Sequence, residues 1–563
     1  MTWNVGTRHE VVGVLTCDSP LHVGGWDPSA AADLAVARDG LDRPMIPGTS
    51  LAGALRGWLT QVRDGAGDRR FTDSTIRELF GHLEEREQLG SPARIRIDDA
   101  PACDADLEPV IRDGVAIDRR TGSAAAGFLY EREVLPVGAT FSFRLAADEP
   151  PGGDPTVAQT VELLVTGLRT GQITIGAGRT RGLGRVTLTQ VRTRQADLSQ
   201  RDGMLAWLAG SATWRPVTTT PEEPVSTGWL SIDIDWEPAG PLLVKDSLDG
   251  ALVDTLPLTE RTTDDRVHLL LPGSSVKGVL RAHAERIVRT LRGTDADASL
   301  RVVLDRERLP GVVPLFGSGP QRPTNGDRPN RGQDRDPGWR GALEVADCHS
   351  TAHVTTEQWQ AVITAHPTRD TPHGGTDGRT TREARQQRGD ERDAGRGALT
   401  AQLDALNNQI SLRVADHVAI DRWTGGAAEG LLYSVLEPTR ITWEPLRLRL
   451  DTTRLAAPTK TDQPGNTDQP LDTRTALSVA LLLLILRDLA DGWLTVGFGG
   501  TRGRGQIAVD QIRFTGAGLA EPWSQLTGRT LEQILNDPPP GVAEAMTRWA
   551  ETFPNPHSPK VTP

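Results

Sequence analysis

Cysteine is almost missing from this chain. Three stand in 563 residues, Cys17, Cys103 and Cys348. They are too few and too scattered for a disulfide framework, which fits a reducing compartment and an expected cytoplasmic location. Tyrosine is scarcer still, at two residues. Long apolar runs are absent too. The longest, "ALSVALLLLIL" from Ala476 to Leu486, is too short to span a bilayer and reads as a buried helix. The opening "MTWNVGTRHE" lacks the apolar core of a signal peptide, and no membrane partner is expected. Positive charge is also short, 62 Lys and Arg against 74 Asp and Glu, for a net charge of −12. Proteins that coat bare nucleic acid are usually basic, so the balance argues mildly against that class, although local basic loops can bind on an acidic body. Glycine (59) and proline (39) are plentiful and imply many turns. A chain this long exceeds what one core usually serves, so at least two domains are expected.

The two tyrosines each close the same phrase. "AIDRRTGSAAAGFLY" runs from Ala116 to Tyr130, and "AIDRWTGGAAEGLLY" from Ala419 to Tyr433, 303 residues later. Three further phrases recur in the same order. "IPGTSLAGALR" at Ile46 returns as "LPGSSVKGVLR" at Leu271, and "LFG" at Leu79 returns at Leu315. "ITIGAGRTRGLGRV" at Ile173 returns as "LTVGFGGTRGRGQI" at Leu494. This order implies a tandem duplication of a domain of ordinary size. The spacing widens between Gly317 and Ala419, where the chain is polar, rich in Gly and Pro and dense in both charges; this is read as an inserted loop. The expected division is a first domain over 1–196, a linker over 197–226, a second domain over 227–516 with its insertion around 318–405, and a helical tail over 517–563.

Within each copy the pattern alternates between strand and helix. "EVVGVLTCD" and "LSIDIDW" read as first strands, and the segments after "PGTS" and "PGSS" as first helices. "ARIRIDDA" and "GALEVADC" read as strands. "TVAQTVELLVTGLRTG" and "TALSVALLLLILRDLADG" read as second helices, each ended by glycine. Final strands follow the Gly-rich loops. The resulting fold class is α+β: two tandem ferredoxin-like, or RRM-like, domains with large loop insertions.

"CHSTAH" brings Cys348, His349 and His353 together, but tetrahedral zinc needs a fourth ligand and no partner motif appears, so it is read as the end of a strand. The Gly-rich loops precede strands rather than helices, so they lack the context of a dinucleotide site. Their glycines, Gly176, Gly178, Gly182 and Gly184 in copy one, permit close backbone approach.

These phrases in this order resemble the RAMP superfamily of CRISPR effector proteins, above all the Cas-seven-type backbone subunit of type III complexes. The resemblance rests on "DLAVARDGLDRPMIPGTSLAGALR", on the "AIDR-TG" phrase with "E-LPVGATF" after it, and on the "G-G-TRG-GR" loop. It covers most of both copies, and two copies in one chain look like the double-backbone fusion of type III-D variants. It implies CRISPR guide RNA, complementary target RNA and other type III effector subunits as partners. It also implies endonucleolytic cleavage of the target, assisted by a divalent metal such as Mg2+, with no metal site assigned from the sequence.

The resemblance places a catalytic Asp in the loop after the first strand, before the "PGSS" turn. Asp33 fits in copy one. Asp254 stands as far from Leu242 as Asp33 does from Leu21. Asp246 and Asp249 are close rivals in copy two and Asp27 a weaker one in copy one; an ordinary solvated carboxylate is the plain alternative for each. Arg179, Arg181 and Arg185, with Arg502 and Arg504 in copy two, suit RNA phosphates, or simply face water. Thr49, Ser50, Ser274 and Ser275 are expected to cap their helices, whose N-termini also favour anions, joined by Arg56, Lys277 and Arg281. Ala52 replaces Lys277 in copy one, which suggests a weaker guide contact there. The "AIDR" phrase would lie in a thumb hairpin that wedges into the guide–target duplex. Arg119 and Arg422 would form salt bridges or grip backbone, and Tyr130 and Tyr433 would stack or, more plainly, pack.

A scaffold with silent loops is the main alternative to a nuclease. A guide-processing nuclease with a catalytic His gains no support, because no His repeats: Leu243 stands where His22 would.

Overall fold

A computed structural model of the chain describes residues 5–25, 32–66, 70–84, 89–152, 155–218, 225–248, 250–297, 309–319, 338–364, 396–456 and 471–553. In repeat 1, strand β1 (Thr7–Cys17) leads through a long loop to helix α1 (Gly48–Ala66). Leu51, Leu55, Trp58, Leu59 and Val62 recur along α1 at three- and four-residue intervals and are all buried, so one stripe of the helix faces the core. Strand β2 (Ile95–Ile97) follows, then a hairpin of β3 (Val110–Ile117) and β4 (Ala124–Val134). Strand β5 (Thr140–Asp148), helix α2 (Thr156–Arg169) and strand β6 (Val186–Asp197) complete the repeat. The sheet runs β6-β1-β5-β2, antiparallel throughout.

Repeat 2 has the same plan. Its parts are β7 (Trp229–Pro238), α3 (Gly273–Arg292), β8 (Leu343–Val345), a hairpin of β9 (Leu412–Ile420) and β10 (Ala427–Pro438), β11 (Leu446–Asp451), α4 (Leu471–Ala490) and β12 (Ile507–Thr515). Its sheet runs β12-β7-β11-β8, again antiparallel. The molecule is therefore mixed α and β with two antiparallel sheets of matching order.

Each repeat closes on its own apolar core. One core joins Val11, Leu55, Phe141, Leu164 and Val186; the other joins Ile232, Leu280, Leu448, Leu482 and Phe514. The "ALSVALLLLIL" run lies within α4, and its residues from Val479 to Leu483 are essentially inaccessible. No helix among the described residues is long and apolar enough to cross a membrane.

Three stretches hold more order than the sequence suggested. In 197–226, a helix over Arg201–Leu208 folds back, and Arg215–Pro216 pairs with β6 at the sheet edge. The Arg194 guanidinium sits 4.3 Å from the Trp207 ring centre and 4.6 Å from that of Trp214, which fixes the return. Inside the presumed insertion 318–405, β8 and the strand Cys348–Thr355 belong to the repeat itself. The two densely charged segments around them, 320–337 and 365–395, lie outside the described residues. The tail helices Leu531–Asn536 and Pro540–Thr552 bury Leu531, Ile534, Val542 and Trp549 in the second core rather than standing apart.

Candidate nucleic-acid interface

The loop after the first strand is pinned to the hairpin in both repeats by the same bond. Asp33 Oδ2 accepts the backbone N–H of Glu131 at 3.0 Å. Asp254 Oδ2 accepts that of Ser434 at 2.7 Å, and the Ser434 hydroxyl at 3.0 Å. Glu131 and Ser434 are 303 residues apart, like the two "AIDR" phrases. Asp33 and Asp254 thus hold equivalent positions, both exposed, each anchored through one carboxylate oxygen. Asp246 is different. It accepts the Leu248 N–H within its own turn, and burial raises its pKa, with the nearby Asp113 adding to the rise. Asp27 and Asp249 lie outside the described residues.

The Gly-rich loop closes against the same segment. At Gly176 (φ 80°) a Cβ would stand 2.2 Å from the His22 carbonyl oxygen, and at Gly497 (φ 84°) 2.4 Å from that of Leu243. Positive φ and this close approach both call for glycine. They also confirm that Leu243 is the counterpart of His22, whose ring is buried and bonded to the Glu133 carbonyl at 2.7 Å.

The helix starts depart from expectation. Helices α1 and α3 begin at Gly48 and Gly273, directly after a proline whose side chain accepts no bond. The cap comes from the connection after another strand, β2 or β8: Asp99 Oδ1 accepts the Gly48 N–H and Asp347 Oδ1 the Gly273 N–H, both at 2.7 Å. Thr49, Ser50, Ser274 and Ser275 therefore lie within the first turn instead of capping it; Thr49 and Ser274 are exposed.

Two of the arginine and lysine assignments also need correction. Arg504 does not face a groove: it is 4% exposed and pairs with Glu437 at 2.8 Å. It stands where repeat 1 has Leu183, so the position points inward in both copies. Lys277 is 7% exposed and donates to the Leu343 carbonyl at 2.6 Å. Burial pulls its pKa down to about 7, helped by Arg181, Arg281 and Arg340. Arg502 stays exposed and donates to the Tyr433 hydroxyl at 2.8 Å. Tyr433 in turn stacks on His417 with ring centres 5.3 Å apart. Arg56 and Arg422 are exposed.

The loop of repeat 1 meets the first helix of repeat 2, and basic side chains from both gather at this seam. Burial, with Arg340 and Arg454 close by, lowers the Arg179 pKa to about 10. Burial also lowers the pKa of Arg449, and Arg185 adds to it. Arg132, with its Nε buried and without a partner, lies within electrostatic reach of Arg181 and Arg112. Part of this charge is compensated, since Arg340 pairs with Glu344 at 2.7 Å and Arg454 with Asp451 at 3.5 Å; an anionic chain would offset the remainder.

Arg112, Arg132, Arg340, Arg449 and Arg454 escape the sequence reading. They come from four segments, with Arg449 and Arg454 on the same one, outside the repeated phrases that singled out the rest, and only the tertiary fold brings them together. His349 and His353, read as the end of a strand, lie within the strand Cys348–Thr355; His349 serves the seam, bonded to Glu260, while His353 lies against the His268 ring. Among the described residues, no group of three or more His, Cys, Asp or Glu is placed to hold a metal ion.

Comparison with known proteins agrees with the repeat. The chain is similar to the CRISPR system Cms endoribonuclease Csm3 of Mycobacterium tuberculosis (strain ATCC 25618 / H37Rv). The two are 31% identical over 222 residues, which cover 35% of this chain and 92% of that protein. A model of the RAMP superfamily matches residues 14–187 and again 253–508. Two matches that together span most of the chain, each enclosing one pinned aspartate and one Gly-rich loop, show that this protein belongs to the RAMP superfamily.

Proposed function

We propose that this chain is a guide-RNA-binding backbone subunit of a type III CRISPR effector complex, a double-backbone fusion of the type III-D kind, that cuts complementary target RNA once per repeat. The observation that carries the reading is the matched pair of anchored aspartates, Asp33 on Glu131 and Asp254 on Ser434. The strand order shared by the two sheets supports two ferredoxin-like domains in tandem. The similarity to a protein named an endoribonuclease supports the chemistry.

In that chemistry the 2′-oxygen of the target attacks the adjacent phosphorus and the P–O5′ bond breaks. The products are a 2′,3′-cyclic phosphate and a 5′-hydroxyl; one proton leaves the 2′-hydroxyl and another reaches O5′. An exposed carboxylate fixed by one oxygen keeps the other free to orient the 2′-hydroxyl. A single carboxylate fits a divalent cation shared with RNA better than a resident metal, since Mg2+ is often held by one or two carboxylates plus substrate phosphates. When bound, such a cation would neutralise charge at the scissile phosphate. The basic seam, with Arg179, Arg181 and Arg185 on one side and Arg281 on the other, would carry the guide backbone. Arg422 lies exposed on the second hairpin, which would face the duplex, whereas Arg119 of the first hairpin is held by Glu285 at 2.9 Å instead of reaching RNA.

The test is target cleavage by the reconstituted guide complex carrying Asp33→Ala, Asp254→Ala or both, with product lengths read on a gel. Each single change is expected to remove one distinct cut while target binding persists. Retention of every cut in the double variant would move the activity to another subunit and leave this chain a scaffold.

A further inference from the structure

The hairpin of repeat 1 docks on repeat 2 through ion pairs that have no counterpart elsewhere among the described residues. Arg112 donates to Glu260 at 2.5 Å and to Asp347 at 2.6 Å, and Arg119 donates to Glu285 at 2.9 Å. The three carboxylates are almost inaccessible, with side-chain exposures of 6%, 2% and 2%. Gly182 of the neighbouring loop lies so close that a Cβ there would stand 2.2 Å from Asp347 Oδ1.

The corresponding positions at the two free ends can be read directly, because the elements superimpose in register. Val110 pairs with Val134 in the first hairpin as Arg413 pairs with Glu437 in the second, and both ladders shift at the same place, before Ile117 and before Ile420. Arg112 therefore corresponds to Ala415, and Arg119 to Arg422. On the receiving side Asp99 corresponds to Asp347, since each caps the first helix. Counting along α1 and α3 from Gly48 and Gly273, Thr60 corresponds to Glu285. A second copy docking end to end by the same geometry would set Asp99 against Ala415 and Arg422 against Thr60. Each contact would bury one charge without its partner, which weakens association by about two to three orders of magnitude. The hairpin faces differ in shape as well: Tyr130 folds across Gly114, whereas Tyr433 stacks on the bulkier His417.

We propose that the Arg112 and Arg119 pairs are an address that fits hairpin one to repeat 2 and bars a second copy of this chain from either end. One substitution on each side would supply the counterparts of the Arg112–Asp347 and Arg119–Glu285 pairs, because Asp99 and Arg422 are already in place.

The experiment is size-exclusion chromatography with light scattering on the full chain without RNA, from low to high micromolar concentration. Wild type is expected at the mass of one chain throughout. The combined variant Ala415→Arg, Thr60→Glu is expected to gain mass with concentration, at least twofold, and to lose it again in high salt. Concentration-dependent multimers of wild type would overturn the proposal. So would a combined variant that melts at the wild-type temperature and stays at single-chain mass. Ala415→Lys with Thr60→Asp carries the same expectation, so a folding defect in one variant leaves the other to decide. No RNA is present, so this result and the outcome of the cleavage assay are independent.

Discussion

Arg504 and Glu437 occupy positions where repeat 1 holds Leu183 and Val134, and all four side chains are buried. One chain thus fills equivalent positions in two ways, once with an ion pair and once with hydrocarbon. A buried pair gains Coulomb energy but loses hydration, and the balance is often near zero against an apolar pair of similar volume. Arg504→Leu alone leaves Glu437 with Arg413, whose own side chain is 61% exposed, and with His417 at 3.6 Å. It should cost about 3 kcal/mol, while the double change with Glu437→Val should cost less than about 1 kcal/mol. Denaturant unfolding of the two single variants and the double variant measures the cycle.

His349 gives a second prediction at this scale. Burial opposes its charged form, but hydrogen bonds to Glu260 and Glu444 and the field of Asp347 prevail, and its pKa rises to about 10. A raised pKa means that folding favours the proton. The stabilisation is complete below the unfolded value of 6.5 and disappears as pH climbs through about 10. Thermal stability should therefore fall between pH 7 and 10 by about 2 kcal/mol more in wild type than in His349→Gln.

The repeated elements were the part most legible in the sequence. The hairpin tips show why. Asp118 accepts the N–H groups of Arg120 and Thr121, and Asp421 those of Trp423 and Thr424. That turn is local, so its residues must recur wherever it recurs. The Gly-rich loops were legible for the same reason, because close approach admits only glycine. Gly497→Ala would force a Cβ to 2.4 Å from the Leu243 carbonyl at a positive φ. Such a change should destabilise repeat 2 by more than about 1 kcal/mol, whereas Gly278→Ala, at an open position inside a helix, should stabilise it by about 0.5 kcal/mol, as differential scanning fluorimetry would show. The helix caps were misread for the opposite reason: Asp99 and Asp347 lie 51 and 74 residues from the glycines they cap. A hydroxyl two residues inside the turn offered a local signal, and the long-range carboxylate offered none. Arg504 was misread because its "TRGRG" surroundings look like a surface loop, while inward orientation is a property of the fold.

At the scale of the whole molecule, two separate cores would allow two separate unfolding events, and the seam decides whether they stay coupled. Arg112 is the central tie, reaching from the first hairpin to Glu260 and Asp347. Asp347 also caps α3, and Glu260 also holds His349, so both carboxylates belong to the internal bonding of repeat 2. Arg112→Ala would leave them buried with their remaining partners but without the guanidinium, at a cost of about 3–5 kcal/mol borne by the seam. Both cores would survive, because Arg112 packs in neither of them. Scanning calorimetry should then show one transition in wild type and two in Arg112→Ala, the lower one shifted down. A single transition that moves downward intact would mean that Arg119 and the packing around Gly182 suffice to couple the repeats, and that the arginine contributes stability without carrying the coupling.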